Sequence, residues 1–285
     1  MEIPPKPKHI NNVEFLRILT PYILTRPIVG DKTVLDIGCG FGHGTWLLAS
    51  KGAQQAISID LDKKKTIQVN EFCSNFRNCG TLVMDAQRLG FRDHSFQIVT
   101  CFEVLEHIPN TDLFFSEIRR VLKKDGILLL STPNRALRLL PFQRPWNPEH
   151  LREHTLRTFR QSIKKHFPSF ELLGISGKPL FYMHYKRMWK QNPFLVYFGF
   201  LNPLIRRLIP TSMKKWVINL RGGANRKASS DLDGDLLNML ESVNFAEKWP
   251  FYVSNVSKNS LNFLVISGFD DRVVEKAANE IKRTQ

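Results

Sequence analysis

Val34-Leu35-Asp36-Ile37-Gly38-Cys39-Gly40-Phe41-Gly42-His43-Gly44 begins as a short apolar run and ends in a glycine-rich loop. Where a parallel strand feeds a helix through such a loop, glycines let the backbone approach a ligand that any Cβ would obstruct. Gly38, Gly40 and Gly42 meet that need, and Asp36 sets an acid at the end of the strand. The competing dinucleotide fingerprint, G-x-G-x-x-G, needs a third glycine where this chain has His43.

Outward from the loop, short β-branched runs alternate with helical patterns, the signature of βαβ units on a parallel sheet. Strands are expected at 33–37, 56–60, 81–84, 97–101, 127–131, 170–174 and 262–267, and helices at 45–50, 62–72, 111–122, 155–166 and 271–282. Asp125-Gly126 reads as the turn into the fifth strand, which Pro133 ends. The expected fold is therefore α/β: a Rossmann-like, doubly wound, mostly parallel seven-stranded sheet, with a basic helical insertion before the last strand. Residues 1–177 form the ligand-binding unit, 178–254 the insertion or lid, and 255–285 the closing strand and helix.

The landmarks that follow the loop give the chain a resemblance to class I S-adenosylmethionine-dependent methyltransferases, of the type 11 and ubiquinone-pathway O-methyltransferase kind. Leu35 to Gly42 resembles that family's first motif. Asp60, with Leu61 after it, stands where the family's ribose-binding acid falls, and Met84-Asp85-Ala86 where its adenine-facing segment falls. Phe96 to Cys101, then Phe102, Glu103 and Val104 to Ile108, resemble the fourth strand and its exit, and Lys123 to Asn134 the fifth. The resemblance implies S-adenosylmethionine as the methyl donor, held by Asp36, Gly38, Cys39, Gly40, Gly42, Asp60, Leu61, Asp85, Ala86, Phe102 and Glu103. Acids at the carboxyl ends of parallel strands also suit a ligand carrying an ammonium and a sulfonium.

Methyl transfer to an alcohol oxygen requires removal of its proton, and imidazole titrates closest to neutrality. His107, His150 and His154 are the candidate bases. Asn147-Pro148-Glu149-His150-Leu151-Arg152-Glu153-His154-Thr155 resembles a segment of methyltransferases in cell-surface glycan and lipid pathways, which puts His150 first; a capping or loop role for it stays open. Glu103, Glu106 and His107 stand at i, i+3 and i+4, sharing one face if the segment is a helical turn. That spacing resembles the metal-ligand pattern of ubiquinone-pathway O-methyltransferases and of small-RNA 2′-O-methyltransferases, with His150 where the latter carry a later histidine. A divalent cation such as Mg would lower the pKa of an acceptor hydroxyl.

The formal charge of +15 is concentrated rather than dispersed. Between Asn134 and Ala228 nineteen Lys and Arg face three acids, a local excess of +16. Such a surface draws anionic partners. Within it, 193–210 combines aromatics and leucines with flanking cations (Lys186, Arg187, Lys190, Arg206, Arg207, Lys214 and Lys215), the composition of an interfacial segment or of a lid with an aromatic underside. Pro193, Pro203 and Pro210 cut it into pieces too short to span a bilayer. Cys39, Cys73, Cys79 and Cys101 lack zinc-site spacing and read as reduced thiols. A cytoplasmic chain, peripheral to an anionic membrane at most, is expected. Its acceptor would be a small molecule, or a lipid-linked, glycan or quinone-like one. Nucleic acid is disfavoured for want of an aromatic stacking module. An RNA 2′-O-methyltransferase, an NAD(P)-dependent oxidoreductase and a non-catalytic binding protein remain as alternatives, and the oligomeric state is undetermined.

Overall fold

A computed structural model describes residues 12–139, 143–145, 147, 149–179, 181–183, 185, 251–257 and 259–283. The segment 193–210, expected to be interfacial or a lid, and most of the expected basic insertion lie outside them.

Five of the seven expected strands appear within a few residues of their expected bounds: β1 (Thr33–Ile37), β2 (Gln55–Asp60), β3 (Cys79–Val83), β4 (Phe96–Phe102) and, beyond β5, the later strand Asn262–Gly268. The other two are longer than read. β5 (Leu122–Pro133) starts before Asp125-Gly126, expected as the turn into it: the register shifts there, from Phe96 opposite Leu122 to Ile98 opposite Ile127, so that 123–126 have no register partner on β4. β6 (Ser169–Gly177) runs three residues past its expected end.

Among the described residues the sheet has eight strands, not seven. β7 (Phe251–Asn255) pairs antiparallel with β6 at the edge, so the proposed boundary at 254 falls inside a strand; β8 is Asn262–Gly268. The order is β3-β2-β1-β4-β5-β8-β6-β7, parallel from β3 through β5 and antiparallel from β8 outward. β1 and β4 are apolar almost throughout because both sheet faces are covered, as parallel sheets require.

The covering helices are α2 (His43–Ser50), α3 (Lys63–Phe72), α4 (Thr111–Val121), α6 (Leu156–His166) and α7 (Asp271–Lys282), with the single turn α5 (Arg135–Arg138) after β5. Except for α2, which starts after Gly42, their starts follow from capping side chains. Asp62, Asn110 and Asp270 each accept a backbone N–H of the first turn, and Thr155 forms a reciprocal pair with Thr158.

One helix has no counterpart in the sequence reading. α1 (Asn12–Val29) holds Pro21 and Pro27 inside it and is apolar on nearly every side, so it lacks the stripe that announces an amphipathic helix. An interior proline costs about 3 kcal/mol. Packing against α2, α7 and β7 offsets that cost, since Phe15, Leu16, Leu19, Ile23, Leu24, Ile28 and Val29 are all buried, at roughly 1.5–3 kcal/mol each. Among the described residues no helix is long and apolar enough to cross a membrane.

Candidate active site

At the carboxyl ends of β1 to β4, the edge where open α/β sheets bind ligands, lies a cleft of about 550 Å³. Its walls are the loop 38–44, Asp60 and Leu61, the segment 84–87, the segment 102–109, one face of α1, Arg138, and Asn147, Glu149 and His150. Six carboxylates and three cations other than histidine line it, so within a basic protein the cleft itself is acidic.

The glycine loop divides into two kinds of position. A Cβ on Gly38 would stand 2.3 Å from Val104 Cγ2, and one on Gly42 2.9 Å from Val69 Cγ2, so both residues are required by protein packing. Gly40, with φ of +52°, has no protein atom within 4 Å of its would-be Cβ, and its N–H donates to Asp60 Oδ2 at 3.0 Å. It is the position where backbone meets the cleft.

Of the candidates for the donor side, Gly38, Cys39, Gly40, Asp60, Leu61, Asp85, Ala86, Phe102 and Glu103 line the cleft, whereas Asp36 and Gly42 do not. Asp36 is wholly buried beneath the loop. It accepts hydrogen bonds from Tyr22 Oη (3.0 Å), Thr45 Oγ1 (2.8 Å) and Thr100 Oγ1 (2.8 Å). Burial pushes its carboxyl up to about 6 despite these donors. Its work is to bind α1, α2 and β4 together under the cleft. The Cys39 thiol, pushed up to about 12 by burial, is a neutral wall.

Glu103 sits at φ of +60°, outside the helical turn expected to present it beside Glu106 and His107. Only Leu105–His107 is helical there, as a 3₁₀ turn. The Glu103 carboxylate instead meets Arg17 Nη1 at 2.7 Å and receives Asn262 Nδ2 at 2.6 Å and Ser131 Oγ at 3.2 Å. Arg17 also donates to Asn262 Oδ1 (2.9 Å) and to both carboxylate oxygens of Glu14 (2.6 and 3.0 Å). Glu103 is thereby removed from the expected metal set.

The remaining three do converge: one ligand atom from each of Glu106, His107 and His150 lies within 4.8 Å of the others. Backbone groups bring 149–152 onto the 3₁₀ turn. Leu151 and Arg152 donate to the Glu106 carbonyl at 2.9 and 3.3 Å, and His107 Nδ1 lies 3.0 Å from the Glu149 carbonyl oxygen. The two imidazoles meet edge to face at 4.7 Å. His107 is held below the usual imidazole range, by burial first and then by His150. Glu106 is completely buried; Oε2 accepts from Thr132 Oγ1 at 3.1 Å and Oε1 has no hydrogen-bond partner. Burial, then the charge of Glu103, pushes its carboxyl well above the ordinary range.

His154 is not part of this cluster and does not line the cleft. Its backbone bridges to Asn134, its ring stands 6.2 Å from Phe159, and burial followed by Arg152 lowers it to about 4. It is a neutral packing residue, which removes it as a candidate base. Glu14, Arg17 and Tyr22 escaped the sequence reading because α1 did, and Arg138 because nothing local distinguishes it from its basic neighbours. An arginine within an otherwise apolar, proline-containing run is the only signal that Arg17 gives.

Residues 35–130 match a family model described as a methyltransferase domain. "Probable S-adenosylmethionine-dependent methyltransferase" of Mycobacterium tuberculosis is 33% identical over 144 residues, 50% of this chain and 51% of that protein. "Ubiquinone biosynthesis O-methyltransferase" of Glaesserella parasuis is 33% identical over 135 residues, 46% of this chain and 56% of that protein. The YcgJ protein of Bacillus subtilis shares the fold, with a TM-score of 0.53 and 18% identity over 89% of this chain and 99% of that one. The chain spans about half the length of the curated relatives it matches. Residues 35–130 are thus similar to a methyltransferase domain, set in a fold that the YcgJ protein shares. The match lies over the donor half of the cleft and stops at residue 130, before Arg138, His150 and the insertion.

Proposed function

We propose that the chain transfers a methyl group from S-adenosylmethionine to an oxygen of a quinone-like, glycan or lipid-linked acceptor, and that His150 and His107 take up the proton released. The observation that carries this is the single acidic cleft, which joins the Gly38–Gly40 loop, Asp60 and Asp85 on one side to the histidine pair on the other. Asp60 would hold the ribose hydroxyls, Asp85 and Ala86 the adenine edge, and the paired charges of Glu103 and Arg17 the amino-acid end. Both histidines have Nδ1 against an acceptor, Glu149 O for His107 and Glu153 Oε1 for His150. In the neutral rings Nδ1 is then the protonated nitrogen and Nε2 keeps its lone pair. An acceptor hydroxyl placed there would give its proton to Nε2, while S-adenosylmethionine, when bound, would supply the methyl group that replaces it. Positioning the acceptor supplies much of the rate in such a displacement.

The same three residues fit a divalent cation. Glu106 Oε1 is buried without a hydrogen-bond partner, and each histidine donates its other ring nitrogen to a fixed acceptor, as metal-bound histidines do. When bound, such an ion would lower the pKa of an acceptor hydroxyl. The ubiquinone-pathway name among the relatives supports a quinone-like acceptor. The cleft's acidic lining weighs against a polyanionic nucleic acid inside it.

Labelled-methyl transfer from S-adenosylmethionine into fractionated cell extract, with and without chelator, tests the reading. Label in the lipid fraction is expected; label confined to RNA or protein would sink the acceptor class, and absence of transfer the activity. Chelator-sensitive transfer would support the cation, and chelator-resistant transfer would leave the histidines as the bases.

A further inference from the structure

Glu153 lies in the segment 147–155 but carries no role in the reading above, and the matched domain ends 23 residues before it. Its side chain is nevertheless fully buried, directly behind His150, whose own side chain is 7% exposed. Glu153 Oε1 lies 2.9 Å from His150 Nδ1 and 3.6 Å from Arg138 Nε. An oxygen set between a guanidinium and an imidazole nitrogen acts as an acceptor toward both. The Nδ1 proton of His150 therefore has a dedicated partner, and the ring is fixed in rotation by the same contact.

We infer that Glu153 is a positioning residue which locks His150 in the Nδ1-protonated tautomer and turns its Nε2 lone pair toward the site shared with Glu106 and His107. The inference rests on the proposed role of His150. The neighbouring imidazole is locked by a backbone carbonyl, Glu149 O, so Glu153 is the side chain through which the pair can be perturbed. His154, one residue further on, has no hydrogen-bond partner for its Nε2, so proximity along the chain does not by itself provide such a partner. Arg138 keeps the carboxylate from standing as an isolated buried charge, which would be costly.

Long-range proton–nitrogen NMR of the full chain carrying ring-labelled histidine reads the tautomer directly, with His150 assigned by the signal lost in His150→Asn. Wild-type His150 should be protonated on Nδ1. In Glu153→Gln the amide can turn its N–H toward Nδ1, so the Nε2-protonated form should appear and methyl transfer should fall roughly 10–100-fold, with KM for S-adenosylmethionine unchanged. In a His150→Asn background the same substitution should cost nothing further, because the two residues act as one unit. A wild-type His150 protonated on Nε2, or an unchanged pattern in Glu153→Gln, overturns the inference, and the wild-type spectrum decides even if the variant fails to fold. Wild-type turnover in His150→Asn would instead refute the proposed base and leave the lock standing.

Discussion

Replacing Tyr22 with Phe removes one hydroxyl from the buried junction between α1 and the glycine loop, and its effect on stability should depend on pH in a defined way. The ring is retained, so its packing against Gly44 and its edge-to-face contact with Phe102 at 4.7 Å persist. What disappears is the donor 3.0 Å from Asp36 Oδ1. A buried hydrogen bond to a charged group contributes about 1.5–3 kcal/mol, and one to a neutral group about 0.5–1.5. Asp36 crosses from neutral to charged at about 6 in the folded chain, against 3.8 as its ordinary value. Below 3.8 it is protonated in both states. Between 3.8 and 6 the unfolded chain ionises first, so its contribution to stability falls as pH rises, by roughly 3 kcal/mol in all. Above 6 that loss is complete and the folded carboxylate depends most on its three donors. Tyr22→Phe should therefore cost about 1.5–3 kcal/mol at pH 8 and about half that at pH 4.5. Urea unfolding followed by tryptophan fluorescence, wild type against variant at each pH with equal slopes, gives both differences. Equal losses at the two pH values, or a loss under about 0.5 kcal/mol at pH 8, would refute the placement of an ionised Asp36 under Tyr22.

The loop glycines should separate by function: Gly38→Ala, driven into Val104, should lose stability by about 2 kcal/mol or more, whereas Gly40→Ala should fold and bind S-adenosylhomocysteine at least about tenfold more weakly, a loss of roughly 1.4 kcal/mol by calorimetry. Gly40→Ala binding at wild-type strength would place the ligand elsewhere. Arg17→Met strands the carboxylates of Glu14 and Glu103 and should cost about 3–5 kcal/mol in urea unfolding; a neutral result would contradict the buried network. His154→Gln should leave turnover within about twofold while His150→Asn lowers it about 10²-fold or more, measured by labelled-methyl transfer; equal effects would reverse the assignment of the two histidines.

The strand-loop-helix at 33–50 was legible because its signal is local. Apolar runs of strand length, glycines at fixed offsets and an acid about 20 residues on reflect contacts made within one βαβ unit. The same holds for the presence of Asp60 and Asp85 at the cleft and for the run of parallel strands through β5. Asp36 was assigned to the ligand because spacing reports the end of a strand, not the side on which a carboxylate emerges. That depended on Tyr22, Thr45 and Thr100 converging from three separate elements.

Glu103, Glu106 and His107 share a face only if their backbone is helical. The positive φ at Glu103, held by a buried arginine 86 residues earlier and an asparagine 159 residues later, breaks that premise. By itself, then, the sequence determined the parallel sheet and the glycine loop, and its resemblance pointed to the proposed methyl donor, since each is encoded over a few tens of residues. The tertiary structure alone decided that α1 forms the cleft wall, that Glu103 leaves the metal set, and that His150 rather than His154 joins His107. These outcomes rest on pairings between residues tens to hundreds of positions apart, which no local period or spacing records.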